Sequence, residues 1–230
     1  MEEKKLPPRL AAIADWVPQN ARLADVGTDH ALLPLWLLKN GRIASAVATD
    51  INVLPLQRAQ ANARAAEEER IRFVLCDGLA DVTPDEVNTV VIAGLGGENI
   101  ADILRRSPWA CKEFMTLILQ PMSRTEVLCR AFGELGLQLR RERLVEDTGR
   151  VYPIFELCSG SAEPWSEGEY FTGPFSMLEK GPLLSRFLAE QQRRLRSSVD
   201  GLRISGRDAD RLVILEKALS DIETQLGEIQ

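Results

Sequence analysis

The sequence predicts an α/β fold: a doubly wound, mostly parallel sheet ends in an antiparallel pair, and a helical hairpin follows. Three observations carry this. Continuous apolar runs of strand length alternate with helical patterns as far as residue 135, the pattern of parallel strands covered on both faces. Two strand-like runs then lie side by side in the chain, 138–145 and 150–158, joined by Glu146-Asp147-Thr148-Gly149, which is a hairpin signal. Beyond a turn-rich stretch at 160–181, apolar residues recur at gaps of three and four, as in paired helices. The expected division is 1–160 for the sheet domain and 161–230 for the helical hairpin domain.

The elements follow in order. Residues 6–17 carry Leu10, Ile13, Ala14 and Val17 at helical spacing, and Pro18 closes that helix. Leu23, Ala24 and Val26 make a buried strand that turns at Gly27. A helix over 31–38 ends at Asn40-Gly41, with Pro34 fitting only its first turn. Strands at 45–51, 71–76, 87–93 and 116–120 alternate with helices at 54–68, around Ile100 and Leu104, and at 125–135. In the hairpin, Leu184, Leu188, Leu195, Val199 and Leu202 form one seam. Leu212, Leu215, Leu219, Ile222, Leu226 and Ile229 form the other. Ser205-Gly206 supplies the turn and Asp208 a cap for the second helix.

Composition excludes several classes. At 230 residues, with 45% hydrophobic and 27% charged content, the chain is an ordinary globular protein. No apolar run reaches membrane-spanning length, and MEEKKLPPRL lacks a signal-peptide core, so a cytoplasmic protein without a membrane partner is expected. Cys76, Cys111, Cys129 and Cys158 are widely spaced and there is one histidine, which argues for reduced thiols and no metal site. A formal charge of −6 argues mildly against nucleic acid, though net charge says nothing of local patches.

A doubly wound sheet binds ligands at the C-terminal ends of its strands. Asp25-Val-Gly27, Asp50, Asp77 and Gly94 all fall there. Gly27 lets a ligand approach the backbone closely. Asp50, 25 positions after Asp25, has the spacing of a carboxylate that meets ribose hydroxyls, and Ile51 adjoins it. Asp77-Gly78 offers an acceptor for an adenine amino group. The candidate cofactor residues are therefore Asp25, Gly27, Asp50, Ile51, Asp77, Gly78, Ala93 and Gly94. After Gly27 come Thr28, Asp29 and His30 instead of the two further glycines that admit a pyrophosphate. That disfavours NAD and FAD and favours an adenosine cofactor without one, such as S-adenosylmethionine. Asp29 and His30 are the candidate catalytic pair. Gly96, Gly97, Gln120 and Pro121 are candidates for the substrate-base pocket.

Each of these residues has a plainer reading. Gly27 and the Asp-Gly pair are common in turns. Asp29 fits a helix N-cap, and His30 a solvated first-turn residue. The Gly94–Gly97 run fits a phosphate loop or a helix cap, and Pro121 a strand stop.

The motifs DVGTDHALLP at 25–34, Asp50 followed by PLQRAQAN at 55–62, DGL at 77–79, IAGLGG at 92–97 and LILQP at 117–121 together resemble the bacterial TrmK family. FTGPFSMLEKGP at 171–182 resembles the start of that family's C-terminal helical domain. The resemblance implies a Rossmann-like class I methyltransferase that uses S-adenosyl-L-methionine to modify N1 of adenine 22 in tRNA. Leu95 and Met122 depart from it, standing where the family usually has Met and often Asn. No Asn-Pro-Pro-Tyr type of motif is present, which agrees with a ring-nitrogen target.

An acidic protein that holds tRNA needs local positive charge. In the hairpin Arg186, Arg193, Arg194, Arg196, Arg203, Arg207 and Arg211 outnumber Glu190, Asp200, Asp208 and Asp210, with Arg193, Arg194 and Arg196 the candidate tRNA contacts and Arg140, Arg141 and Arg143 a second cluster. Charged helix faces are also commonly just solvated. A monomer or weak dimer is expected. The competing readings are a methyltransferase of the same fold acting on another RNA or a small molecule, and a non-catalytic S-adenosylmethionine-binding protein that uses its hairpin to bind a partner.

Overall fold

The computed structural model describes residues 5–161, 163–177 and 179–229. Leu178 of the FTGPFSMLEKGP motif and the first four residues of MEEKKLPPRL lie outside them. Helix α1 (Pro8–Trp16) opens on proline, whose missing N–H costs nothing in a first turn, and buries Ile13 and Trp16. Val17 is extended, as the residue before Pro18 must be. Then follow β1 (Ala21–Val26), α2 (Leu32–Lys39), β2 (Ile43–Asp50), α3 (Val53–Ala65), β3 (Ile71–Leu75) and β4 (Thr89–Gly96). Next come α4 (Gly97–Arg106), a short 3-10 turn (Pro108–Cys111), β5 (Thr116–Ser123) and α5 (Thr125–Glu134). The chain finishes with β6 (Leu137–Asp147), β7 (Arg150–Ser159), α6 (Glu167–Thr172), α7 (Pro182–Ser205) and α8 (Ala209–Ile229).

One seven-stranded sheet has the order β3-β2-β1-β4-β5-β7-β6. Its first five strands are parallel, and β7 enters antiparallel between β5 and β6. The expected antiparallel finish is therefore present, with the last strand on the inside. The order reverses between β1 and β4, and at such a switch point the strand ends part to leave a crevice.

Burial explains why the parallel strands read as apolar runs. Leu23, Val91 and Ile118 face one core with Ile13 and Leu37, while Val90, Ile92 and Leu117 face the other with Leu104 and Phe132. Each such side chain contributes about 1.5–3 kcal/mol by leaving water. A third core joins the two hairpin helices: Leu184, Leu188, Leu195 and Val199 meet Leu215, Ile222 and Leu226, and Val151 of β7 belongs to the same cluster. The hairpin therefore leans on the end of the sheet. Asp208 caps α8 as expected, its carboxylate accepting from the Arg211 amide at 3.0 Å.

The stretch at 160–181 holds an element that the sequence reading does not contain. Helix α6 starts in a capping box, where Ser166 and Glu169 each bond the other's backbone amide. The Gly168 amide donates to Asp221 of α8 at 2.9 Å, and Trp165 packs edge-on to Phe132 at 5.9 Å. Thus α6 wedges between the sheet domain and the hairpin.

Candidate functional site

A cavity of about 370 Å³ lies at the C-terminal ends of the strands, beside the switch point. Gly27 after β1, Asp50 and Ile51 after β2, Asp77 and Gly78 after β3, and Leu95 of β4 all line it, as do Ile103 and Arg106 of α4. Five of the eight expected cofactor residues thus share one wall.

The loop after β1 carries the strain. Gly27 has φ +75°, and its amide and that of Thr28 both donate to the Thr49 carbonyl at 2.9 Å. The Thr28 hydroxyl donates to the buried Asp25 carboxylate at 2.6 Å. Burial nevertheless dominates and pushes the Asp25 pKa up to about 6. His30 and Ala31 both adopt the left-handed backbone, at φ +60° and +52°. Such conformations cost roughly 1–3 kcal/mol each and persist where surrounding contacts impose them. Here Asn62 of α3 donates to the His30 carbonyl at 2.9 Å.

This geometry removes the helix-cap reading of Asp29, because the N-cap of α2 is Ala31 and no side chain caps it. Asp29 and His30 do not line the cavity. They stand on the loop between Gly27 and α2, with His30 Nε2 3.2 Å from the Asp29 carboxylate and both side chains open to solvent.

Asp50 accepts from the Asn52 amide at 2.7 Å, and Ile51 beside it is 65% exposed, an apolar surface with nothing on it. Asp77 is engaged by Arg106, at 2.5 and 3.0 Å, and this pairing holds its carboxyl below the usual range. No sequence pattern links those two residues, 29 positions apart.

Across the cavity, Gly94 makes a bulge in β4 at φ +82°. Its amide donates to Gln120 Oε1 at 3.1 Å. Gln120 is fully buried and its own amide donates to the Pro121 carbonyl at 2.9 Å. Arg9 of α1 reaches the same Gln120 oxygen at 3.4 Å and pairs with Asp147 at 3.2 Å. Arg9 is a site residue that the sequence reading missed, because only the folded sheet brings it near Gly94. Ala93 is half-buried in β4, and Gly96 faces Ser123 of β5. Gly97 is buried so tightly that a Cβ there would lie 2.2 Å from the Arg124 carbonyl.

The arginines divide sharply. Arg140 and Arg141 pair with Glu156, Arg143 pairs with Asp15, and both Arg141 and Arg143 lie over the Trp16 ring. Two carboxylates and the Trp16 ring thus engage these three guanidiniums within the fold. In the hairpin, Arg196 is tied to Glu223 and Arg203 to Glu216, whereas Arg193 and Arg194 are exposed with no ion pair among the described residues.

The donor set fits S-adenosylmethionine. Asp50, Asp77 and Asp102 line the cavity, and its one cation, Arg106, is already paired with Asp77. Nothing in that wall would neutralise a pyrophosphate, while carboxylates suit a cofactor that carries positive charge. Asp50 would hold the cofactor's ribose and Asp77 its adenine amino group, whereas Asp25 is buried beside Thr28 and does not itself line the cavity. Among the described residues, no cluster of His, Cys, Asp or Glu is placed to hold a metal ion, and no helix is long and apolar enough to cross a membrane.

Comparison with known proteins agrees with this geometry. A family model described as a methyltransferase domain matches residues 6–155. The tRNA (adenine(22)-N(1))-methyltransferase of Bacillus subtilis is 28% identical over 193 residues, covering 84% of this chain and 78% of that protein. Among solved structures, a protein of the NADB-Rossmann superfamily from Streptococcus agalactiae superposes with a TM-score of 0.86 at 28% identity, covering 98% of this chain and 99% of its own. A Streptococcus pneumoniae protein in complex with S-adenosyl-L-methionine superposes with a TM-score of 0.74 at 30% identity, covering 95% and 98%. With the strand order, the carboxylate-lined cavity and these matches in agreement, the chain belongs to the methyltransferase domain family.

Proposed function

We propose that this protein transfers a methyl group from S-adenosyl-L-methionine to N1 of an adenine in tRNA, at position 22. The observation that carries the reading is the loop Gly27–Ala31: one end closes a cavity suited to the donor, and the other exposes the Asp29–His30 pair. The name of the Bacillus subtilis relative supplies the base and its position.

N1 of neutral adenine already carries an in-plane lone pair, so no general base is needed. The bound donor supplies a methyl group on a positively charged sulfur. What this chain supplies is placement and charge. Asp25 anchors the donor's ammonium group, Asp50 its ribose hydroxyls, and Asp77 with Gly78 its adenine edge, while Ile51 covers a face of that ring. Gly27 and the Ala93–Gly94 backbone set the depth of the donor. Gln120 fixes the Gly94 bulge, and the Gly94–Gly96 backbone forms the floor on which the target base lies, with the buried Gly97 and Pro121 supporting it from within. As methylation proceeds, positive charge develops on the target purine. Asp29 stabilises it by accepting a hydrogen bond from the exocyclic amino group, which is worth most in a water-poor site. His30 holds Asp29 in place and offers a ring face to the base. A base stacked in folded tRNA must be extruded to reach this position.

Residues 1–160 act as the donor-binding domain and 161–230 as the domain that holds tRNA, with Arg193, Arg194 and Arg196 contributing to the grip. The protein works in the cytoplasm as a monomer or weak dimer. Incubation with labelled S-adenosylmethionine and unmodified bacterial tRNA, followed by nucleoside mapping, tests the reading. The expected product is 1-methyladenosine; a protein that binds the donor yet forms none refutes it.

A further inference from the structure

A second cavity, of about 320 Å³, opens between α5 and the α7–α8 hairpin. Arg124, Arg130, Arg194 and Arg211 line it, and Glu126 is the one carboxylate in its wall. Arg124 is spoken for by Glu98 and Glu126, each at 3.0 Å, and Arg130 by Glu167 and the Tyr170 ring. Arg194 and Arg211 differ. They project from two separate helices into the same space, and neither has a carboxylate partner among the described residues.

That contrast is informative in an acidic chain. Arg196 and Arg203, on the same helix as Arg194, are neutralised by Glu223 and Glu216 across the hairpin. Carboxylates thus neutralise Arg196 and Arg203, while Arg194 and Arg211 line one cavity without such a partner among the described residues. An anion with several oxygens could accept forked hydrogen bonds from both. The wall also carries apolar surface, with Phe171 half-buried and Ile214 40% exposed, on which a ribose or base can rest.

Position identifies the anion. Helix α5 begins two residues after β5 ends on the site's own edge, and the Arg124 carbonyl packs against Gly97. The cleft therefore starts where the Gly94–Gly97 turn stops. A strand whose base lies over that turn must run its backbone alongside. We propose that this cleft binds the phosphodiester backbone of the RNA substrate next to the target adenine, through Arg194 and Arg211, with Arg124 and Arg130 at its rim. The proposal rests on the tRNA reading above.

The test compares wild type, an Arg194→Ala/Arg211→Ala double variant, and a control double variant, Arg72→Ala/Arg105→Ala, which removes equal charge elsewhere. Affinity for unmodified tRNA is measured between about 50 and 200 mM salt, alongside steady-state methylation. The cleft variant should lose roughly tenfold or more in tRNA affinity, and its log–log salt slope should fall by about 2, one for each phosphate contact. Its KM for tRNA should rise while S-adenosylmethionine affinity and kcat at saturating tRNA stay within about twofold. The control should match wild type. Equal losses in both variants, or wild-type affinity and slope in the cleft variant, overturn the cleft while leaving the methyltransferase reading standing. Failure of the wild-type protein to methylate tRNA at all overturns the reading and the cleft with it.

Discussion

The side-chain oxygen of Gln120 accepts the backbone amide of Gly94 at 3.1 Å, so a fully buried residue of β5 holds the bulge of β4 in shape. The same oxygen receives Arg9, and the side-chain amide is used on Pro121. Both polar atoms of the Gln120 side chain are thereby committed to the protein, so in the proposed function it acts only by positioning the Gly94–Gly97 turn.

Gln120→Leu should therefore act through the turn. It leaves the Gly94 amide without its acceptor, a loss of about 1–3 kcal/mol by denaturant unfolding. Turnover should drop more than S-adenosylmethionine affinity, because the donor's other contacts are on β1, β2 and β3. Unchanged stability together with unchanged kcat would make Gln120 a passive filler.

Asp29→Ala should lower kcat by about a hundredfold or more while donor affinity stays within about twofold. His30→Asn is the companion variant. Asparagine tolerates the left-handed backbone that His30 adopts at φ +60°, so the fold should keep its stability while the ring face is lost. Near-normal turnover in Asp29→Ala would remove it from the chemistry.

Asp25 predicts a pH dependence with a definite sign. Its folded pKa, near 6, lies above the ordinary value of 3.8, so the folded protein binds the extra proton. The contribution of Asp25 to the stability of the ligand-free protein should be greatest below the ordinary value and fall by about 3 kcal/mol as pH rises from about 4 to about 6. The cofactor's cationic end needs the ionised form, so donor affinity should weaken about tenfold per pH unit as pH falls below 6. Asp25→Asn should remove the Asp25 share of the stability loss and the pH dependence of donor affinity. Calorimetric titration across pH 5–8 checks the second, and a flat wild-type profile would count against Asp25 as the ammonium anchor.

Glu142 makes a related prediction far from the site. It is buried in β6 with neither oxygen hydrogen-bonded, packed so closely on Gly173 that a Cβ there would fall 1.9 Å away. Burial first, and then the nearby Glu169 carboxylate, push its pKa well above the ordinary value. The raised folded pKa means that stability is lost as pH rises above the ordinary carboxylate range. Glu142→Gln should flatten that portion of the profile and be more stable than wild type at pH 8, by thermal unfolding. An unchanged slope would show that Glu142 stays ionised.

The sequence made the sheet legible for a physical reason. Strands buried on both faces must be almost wholly apolar, so Leu23–Val26, broken only by Asp25, and Val90–Ile92 and Leu117–Leu119 announce themselves. The glycines and aspartates at their ends gave the cavity wall the same way. What stayed hidden depends on partners distant in the chain. Nothing near Asp77 signals Arg106, nothing near Gly94 signals Arg9, and the pairing of Arg196 with Glu223 needs the folded hairpin. Helix α6 escaped because six residues are too few to show a period, although Ser166 and Glu169 form a capping box that a search for that spacing would find. Asp29 looked like a cap because it precedes an apolar run; two left-handed residues, His30 and Ala31, delay the helix beyond its reach.

The central claim is methylation of one ring nitrogen of one tRNA position. Its most direct test treats two transcripts of the same bacterial tRNA, one with adenine and one with guanine at position 22, with the wild-type protein and S-adenosylmethionine, and reads modification by nucleoside mass spectrometry and primer extension. The expected result is 1-methyladenosine and a reverse-transcription stop at position 22 of the first transcript and neither in the second. Equal methylation of both transcripts, or a methyl group on any other atom, would contradict it.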